Sequence, residues 1–284
     1  MAVALREAMR DILAGWRSDL PPGWQAIVAG TDLGFDAIDP SLSLETWEPV
    51  FPARKGRTFL GAPKGAHIFR AFDGIDPDDV RCVILGQDPY PDAAFSTGRA
   101  FEAGNIAWWR ELEKMFSVSV RTFMQLIVAA RTGDESYALS TAAWRRLIDD
   151  IESGRLQIEP ANAIADRWVR DGVLLLNSAL TISRFTVEGD PHQLRGHLPL
   201  WRPFIAAVLR HLAARGKPIV FIGFGDQAAN ALTEAGIGPA ISDPLIELVL
   251  RDHPARGNAV LSKENPFLLC NRFLANAGAP PVSW

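Results

Sequence analysis

Three side chains with complementary chemistry follow separate short apolar runs of this sequence: the carboxylate Asp88, the carboxamide Asn177 and the imidazole His253. A carboxylate stabilises positive charge or accepts a proton, and an imidazole donates a hydrogen bond to an oxygen that gains negative charge. A carboxamide donates and accepts in one plane, so it can read the edge of a flat polar ligand. Together the three groups suit the cleavage of a bond whose two halves take opposite charges.

Four apolar runs have the length of β-strands and alternate with segments of helical periodicity. They are residues 80–85, 173–176, 219–222 and 246–250. A helix with one apolar face is predicted over residues 201–215, ended by Gly216. This alternation is typical of a single α/β domain, with a central four-stranded, mostly parallel sheet flanked by helices. Because ligands bind beyond the carboxyl ends of such strands, Asp88, Asn177 and His253 are predicted to converge.

Composition limits the class of protein. The chain has 284 residues, 48% of them hydrophobic, which is the size and apolar content of one sizeable domain. Its net charge of −4 predicts that any contact with nucleic acid is local, because the chain as a whole is not basic. No apolar run approaches the ~20 residues of a membrane span, so a cytoplasmic protein is expected.

The two cysteines, Cys82 and Cys270, do not have a zinc-binding spacing, and the sequence lacks the further cysteines that an iron–sulfur cluster needs as ligands. We predict that both are buried small hydrophobic residues, and we expect no metal and no other cofactor. Residues 1–20 are predicted to form a helix that ends at the Pro21-Pro22-Gly23 segment.

The predicted site has the groups needed to break an N-glycosidic bond. This cleavage builds positive charge on the sugar and negative charge on the departing base. Asp88 suits the first task and His253 the second, while Asn177 can read the edge of a pyrimidine. An aromatic ring that stacks on the extracted base completes such a pocket. The candidate rings are Phe101, Phe95 and Tyr90.

Several motifs add a specific resemblance. They are residues 86–90 (GQDPY), 98–101 (GRAF), 174–181 (LLLNSALT), 253–254 (HP) and 270–276 (CNRFLAN). In this order they resemble the motifs of family 1 uracil-DNA glycosylases, and the resemblance spans roughly residues 47–284. It implies a glycosylase-like catalytic domain over residues 47–284, with residues 1–46 forming an N-terminal helix and extension packed on it.

The resemblance also implies an activity and a role for each site residue. The activity is hydrolysis of the deoxyuridine glycosidic bond in single- or double-stranded DNA by base flipping, which leaves an abasic site for base excision repair. Asp88 would place the water and stabilise the sugar cation, while neutral His253 donates to uracil O2. Asn177 would read the uracil edge, Phe101 would stack on the ring and Tyr90 would exclude a thymine methyl. Gln87 would contribute its backbone, and a monomer is expected.

Two departures from the family pattern bear on function. Pro91 stands where the family usually has a histidine, so the placement of water is expected to differ. The segment after His253-Pro254 lacks the leucine that wedges into the duplex in the family. We predict that Arg256 replaces it, since a guanidinium plane can stack in the vacated space and its charge can hold a phosphate. Ala255 and Ser178 are predicted to contact DNA beside it.

Other interpretations remain open. One alternative is a catalytically weak DNA-binding or lesion-sensing protein on the same fold. Another is an α/β enzyme acting on a free nucleoside or other small molecule, and a third is a related base specificity. The segment after Asn177 is predicted to be a surface loop that faces either DNA or solvent. Its polar residues are His192, His197, Arg184 and Arg195.

Overall fold

The computed structural model describes residues 2–114, 118–186 and 189–284. Two short antiparallel strands near the N-terminus, β1 (Ala2–Ala4) and β2 (Ser43–Glu45), pair with each other. The central sheet consists of β3 (Cys82–Gly86), β4 (Val173–Asn177), β5 (Ile219–Phe224) and β6 (Ile246–Arg251). Its four strands are parallel and lie in the order β4, β3, β5, β6. The predicted four-stranded parallel sheet is confirmed.

The strands form because their apolar residues are buried on both faces of the sheet. Successive side chains of a strand point to opposite faces, and two hydrophobic cores result. Val83 and Leu85 of β3 pack into one core, while Cys82 and Ile84 pack into the other. Both cysteines are fully buried in this second core, as predicted.

Nine helices occur in the described residues. They are α1 (Leu5–Ile12), α2 (Pro22–Ile27), α3 (Val118–Thr132), α4 (Ala143–Glu152), α5 (Ile164–Arg170), α6 (Leu198–Ala213), α7 (Asp226–Glu234), α8 (Asn258–Leu261) and α9 (Pro266–Asn276). The predicted helix over residues 201–215 corresponds to α6, which begins three residues earlier. A π-helical turn, Gln193–His197, leads directly into α6.

The N-terminal region differs from its prediction. A single helix over residues 1–20 is wrong, because α1 covers only Leu5–Ile12 and a 3-10 turn follows at Trp16–Asp19. Pro22 begins a second helix where a helix end was predicted, since the first helical position needs no amide donor. Leu5 and Met9 are fully buried in the core that contains Val83 and Leu85. No helix among the described residues is long and apolar enough to cross a membrane.

Candidate active site

The carboxyl ends of the strands bring the predicted residues to one edge of the sheet. Gly86, the last residue of β3, lies opposite Asn177, the last residue of β4. Beyond them the chain continues in register, with the Ala179 amide donating to the Gln87 carbonyl oxygen at 2.9 Å. At the other side of β3, the end of β5 pairs with Arg251 of β6, just before His253. Asp88, Asn177 and His253 therefore lie in loops or strand ends of this same edge.

Gly86 allows the uracil-reading candidates to approach the backbone closely. A Cβ atom added at Gly86 would lie 2.6 Å from the Asn177 Oδ1 atom and 3.4 Å from the Phe101 ring. The first distance is shorter than any real contact of this kind, so a side chain here would displace the amide. Asn177 itself is buried, with 3% of its surface exposed. The glycine thus places the carboxamide and the aromatic ring side by side.

Phe101 is held in an uncommon backbone conformation. Its φ of 59° lies in the left-handed region, which costs energy for a residue with a bulky side chain. The ring stacks on Phe123 of α3, with a centroid distance of 4.6 Å and an angle of 3° between planes, and meets the Phe224 ring edge-on at 5.2 Å. The surrounding core therefore fixes the plane of the ring that the sequence predicts to stack on a base.

Asp88 is a carboxyl group whose charge is disfavoured by its surroundings. Burial raises the pKa of Asp88 from its ordinary value to about 6, against a smaller lowering by the amides of Gln87 and Gln193. The Gln87 Nε2 atom donates to Asp88 Oδ2 at 3.2 Å. At neutral pH the group is still ionised, and it is more basic than an ordinary aspartate. That combination suits a group that stabilises a cation and accepts a proton.

His253 is held as a neutral ring with one defined tautomer. The Ala255 backbone amide donates to its Nδ1 atom at 3.2 Å, so the ring proton is on Nε2. Burial, and secondarily the nearby positive charge of Arg256, lower the pKa of His253. The ring packs against Gly225 at the end of β5, where an added Cβ would lie 3.2 Å from the His253 Cβ. His253 therefore presents a neutral donor at Nε2.

Tyr90 lies in the loop that follows Asp88. Its ring meets Phe95 edge-on, with centroids 5.8 Å apart and 69° between planes. Burial, with a smaller contribution from Asp92, raises the pKa of the Tyr90 hydroxyl, while the charge of Arg121 opposes this shift. The ring is thus partly buried and neutral, which fits a side chain that limits the shape of a pocket.

The residues predicted to contact DNA occupy different environments. Arg256 ends a 3-10 turn, Pro254–Arg256, and its side chain is 67% exposed while it pairs with Asp252 at 3.1 Å. Ala255, in the same turn, is exposed. Ser178 is buried, and its hydroxyl donates to the Gly86 carbonyl oxygen at 2.9 Å. The DNA contacts of these three residues stay predictions.

The prediction of a surface loop after Asn177 is wrong for its two histidines. His192 and His197 are buried, and both hydrogen-bond to the Ser183 hydroxyl, at 3.0 and 2.9 Å. The His197 Nδ1 atom lies 2.8 Å from the Thr181 hydroxyl. Burial lowers the pKa of His197 to about 3 and also lowers that of His192. A polar sequence alone did not reveal that these imidazoles have internal partners.

The two arginines of the same segment form ion pairs. Arg184 pairs with Glu48, and Arg195 pairs with Asp39 at 2.7 Å. Gln193, which the sequence did not single out, lies beside Asp88. The one signal for it was its place within a segment rich in hydrogen-bonding residues. In the described parts of the chain, no group of three or more His, Cys, Asp or Glu side chains could hold a metal ion.

The arrangement combines a half-buried carboxylate, a neutral imidazole donor, a carboxamide and a fixed aromatic ring at one edge of a parallel sheet. Comparison with solved structures gives the class of this fold. The chain matches the wild-type UNG of Nitratifractor salsuginis with a TM-score of 0.61, covering 94% of this chain and 96% of that one at 23% identity. It matches mimivirus uracil-DNA glycosylase with a TM-score of 0.59, over 100% and 94% of the chains at 15% identity. The chain has the uracil-DNA glycosylase fold.

Sequence comparison identifies the family within this class. Uracil-DNA glycosylase 1 of Streptomyces coelicolor is 32% identical over 230 residues, which are 81% of this chain and 82% of the relative. The uracil-DNA glycosylase of Parafrankia sp. is 30% identical over 280 residues, which are 98% and 97% of the two chains. No family model matches the chain. The chain belongs to the uracil-DNA glycosylase family.

Proposed function

We propose that this protein is a monofunctional DNA glycosylase that hydrolyses the bond between uracil and deoxyribose. The C1′–N1 bond breaks, its electron pair leaves with the uracil, and a water oxygen bonds to C1′. Asp88 stabilises the positive charge on the sugar and accepts a proton from the water. The Nε2–H group of His253 donates to uracil O2 as negative charge builds there. The products are free uracil and an abasic site.

The remaining site residues select the base. Asn177 donates to one uracil carbonyl and accepts from the ring N–H, because its amide is held in one plane beside Gly86. Phe101 stacks on the flipped base, and its fixed ring plane reduces the entropy lost on binding. Tyr90 fills the volume that a thymine methyl group needs, and Gln87 contributes its backbone.

The observation that carries the proposal is the presence of two complementary groups, His253 and Asp88, at one edge of the sheet. A neutral imidazole with its proton on Nε2 and a half-buried carboxylate with a raised pKa follow different strands there. His253 stabilises the negative charge that develops on the base, and Asp88 stabilises the positive charge that develops on the sugar. A reaction with charge separation requires both.

The direct test is base release from DNA. Oligonucleotides that contain uracil, thymine, hypoxanthine or xanthine, single-stranded and in duplexes, are incubated with the protein in EDTA and then cleaved at abasic sites with alkali. We expect cleavage at uracil alone and only after alkali, because no lysine lies in the site motifs to form a Schiff base. Activity lost in EDTA and restored by a metal, or strand breaks before alkali, would contradict the mechanism.

The location, oligomeric state and DNA contacts of the protein are further parts of the proposal. We propose a cytoplasmic monomer that binds uracil-containing DNA through local contacts, because the net charge of −4 gives no general attraction to phosphate. The alternative of a catalytically weak lesion sensor gains no support from the relatives. Single-turnover kinetics separate the two, since a sensor binds uracil-containing DNA without releasing the base.

A further inference from the structure

Gln193 places a second amide next to the carboxylate of Asp88. Of the described side chains, only those of Gln87 and Gln193 lower the pKa of Asp88, and no charged group contributes to its shift. Gln87 does so through a direct hydrogen bond. Gln193 comes from a distant part of the chain, the π-helical turn before α6. Its proximity to Asp88 is therefore a product of the tertiary fold.

The amide of Gln193 is buried without the partners that a structural amide has. Only 4% of the residue is exposed, yet neither Nε2 nor Oε1 makes a hydrogen bond within the part of the chain that the structure describes. Gln125, exposed by 1%, offers a contrast: its Nε2 atom donates to the Tyr137 and Ser140 carbonyl oxygens, both at 2.8 Å. Burying an unsatisfied amide destabilises a fold, so its presence calls for a ligand.

The unpartnered amide and the carboxylate that it influences indicate what that ligand is. The Gln193 amide lowers the pKa of Asp88, although neither its Nε2 nor its Oε1 atom has a hydrogen-bond partner among the described residues. A single water molecule can satisfy a buried amide and a partly buried carboxylate at once. The hydrolysis needs one water at this carboxylate.

A buried hydrogen-bond network keeps the turn that carries Gln193 in place. His197 in the turn and His192 just before it share the Ser183 hydroxyl, and His197 also bonds the Thr181 hydroxyl. Thr181 accepts in turn from the Trp201 indole at 2.7 Å. Thr181 and Ser183 belong to the segment that follows β4, which is bonded to the carbonyl groups of residues 86 and 87. The network thus ties the position of Gln193 to the loop that carries Asp88.

We propose that Gln193 is a further catalytic residue, which holds the attacking water together with Asp88. The Oε1 atom accepts one hydrogen of the water, and Asp88 accepts the other as the water oxygen bonds to C1′. The electron pair of the C1′–N1 bond leaves with uracil, which later takes up a proton from solvent as Asp88 returns its own. Pro91 offers this water no side-chain hydrogen-bonding group. The inference rests on the proposed glycosylase reaction.

The test compares two buried glutamines. Gln193→Leu should slow single-turnover uracil release at least about tenfold with little change in the Kd for DNA, because only the chemical step loses its water ligand. Its melting temperature should fall less than that of Gln125→Leu, since the Gln193 amide has no hydrogen-bond partner in the described protein to lose. Gln125→Leu should show the reverse pattern: a lower melting temperature and an unchanged rate. Rapid-quench kinetics and thermal unfolding measure the two quantities.

A pH profile gives a second readout that a purely structural role would not move. In Gln193→Leu the acidic limb of the rate profile should move to higher pH, because Asp88 loses a nearby amide donor. Gln193→Glu should move it further, since a second carboxylate disfavours ionisation of the first. A Gln193→Leu rate within about threefold of wild type, a loss confined to DNA affinity, or a fall in melting temperature like that of Gln125→Leu would overturn the inference. If wild type releases no uracil, the proposed function itself fails.

Discussion

Asp88 is the residue whose ionisation should set the pH dependence of catalysis. The carboxyl must be ionised to stabilise the sugar cation, and burial raises its pKa to about 6. The single-turnover rate should therefore rise as pH increases through about 6 and then level off. His253 has a lowered pKa, so it is neutral over the plateau and adds no falling limb there.

The measurement is single-turnover uracil release between about pH 4.5 and 8.5, with Asp88→Asn as the comparison. The variant should be slower by about a hundredfold or more, with DNA binding largely intact and without the limb near pH 6. A flat wild-type profile between pH 5 and 7, or a variant within a few-fold of wild type, would assign the chemistry to other groups.

Base specificity is also decided by single residues. Tyr90→Ala should open the pocket to thymine, because the ring no longer occupies the volume of the C5 methyl group. Asn177→Asp should admit cytosine, because a carboxylate accepts from the cytosine N4 amine. Each new activity should exceed the wild-type background by at least about tenfold, the order of selectivity that one methyl-sized contact provides. Oligonucleotides with thymine or cytosine measure it.

Retained uracil release serves as the control for both variants. If folded variants that still release uracil gain neither activity, base selection lies outside these two side chains. A change of the same size is chosen at position 177 because the Asn177 Oδ1 atom lies within 2.6 Å of the place that a Cβ atom on Gly86 would occupy, so this side chain is closely enclosed.

At the scale of the element, the turn after His253 combines two tasks. The Ala255 amide fixes the tautomer of His253, and the next residue, Arg256, extends from the surface. Its ion pair with Asp252 is exposed and contributes little to stability, so the guanidinium can exchange this partner for another. The turn can thus couple insertion of Arg256 into the duplex to placement of the donor at the base.

Arg256→Ala should slow uracil release from duplex DNA by about tenfold or more and affect single strands much less. The physical reason is that flipping costs a few kcal/mol of stacking and pairing, which a plug in the vacated space partly recovers. Arg256→Lys should restore salt-sensitive binding better than duplex excision, because it retains charge without the planar group.

Arg155→Ala is the matched control for Arg256→Ala. Arg155, just beyond the end of α4, has a similarly exposed side chain and also pairs with one aspartate, Asp150 of that helix. Arg155→Ala should leave the rate of uracil release from duplex and from single-stranded DNA unchanged. If Arg256→Ala slows uracil release equally from single-stranded and duplex DNA, Arg256 acts on the base pocket or on the DNA backbone. The residue that wedges into the duplex would then have to be sought in residues 182–197.

At the scale of the whole molecule, histidines with lowered pKa values and the Asp88 carboxyl with a raised pKa act on stability in opposite directions. The pKa values of His192, His197 and His253 are all lowered, that of His197 to about 3, so the stability that comes from their neutral forms is lost as pH falls below 6.5. Asp88 has a raised pKa, so its contribution is present at low pH and is lost as pH rises toward about 6.

We expect the free energy of unfolding to fall between pH 7 and pH 5. The stability lost because three histidines have lowered pKa values exceeds the stability gained as Asp88 takes up its proton. Asp88→Asn should be more stable than wild type at pH 7, by on the order of 2 kcal/mol, and should approach wild type near pH 4. Urea unfolding at pH 7, 5.5 and 4 measures both. A wild type that gains stability toward pH 5, or a variant that is less stable at pH 7, would show that these groups are not buried as described.

The amino-acid sequence by itself determined the sheet and the meeting of its polar strand ends. Strands buried on both faces must be continuous apolar runs, and the carboxyl ends of parallel strands share one edge. These two rules suffice to group Asp88, Asn177 and His253 into one site. The length and order of the motifs also identified the family. These features are local, or follow from general rules of topology.

Only the tertiary structure decided how these groups are tuned. The tautomer of His253, the raised pKa of Asp88 and the left-handed backbone of Phe101 depend on burial and on contacts that no local pattern encodes. The same is true of the segment after β4, where polar residues predicted at the surface turn inward because Ser183 and Thr181 satisfy them. Gln193 reaches Asp88 across about a hundred residues of chain, a distance at which sequence spacing carries no information about contact.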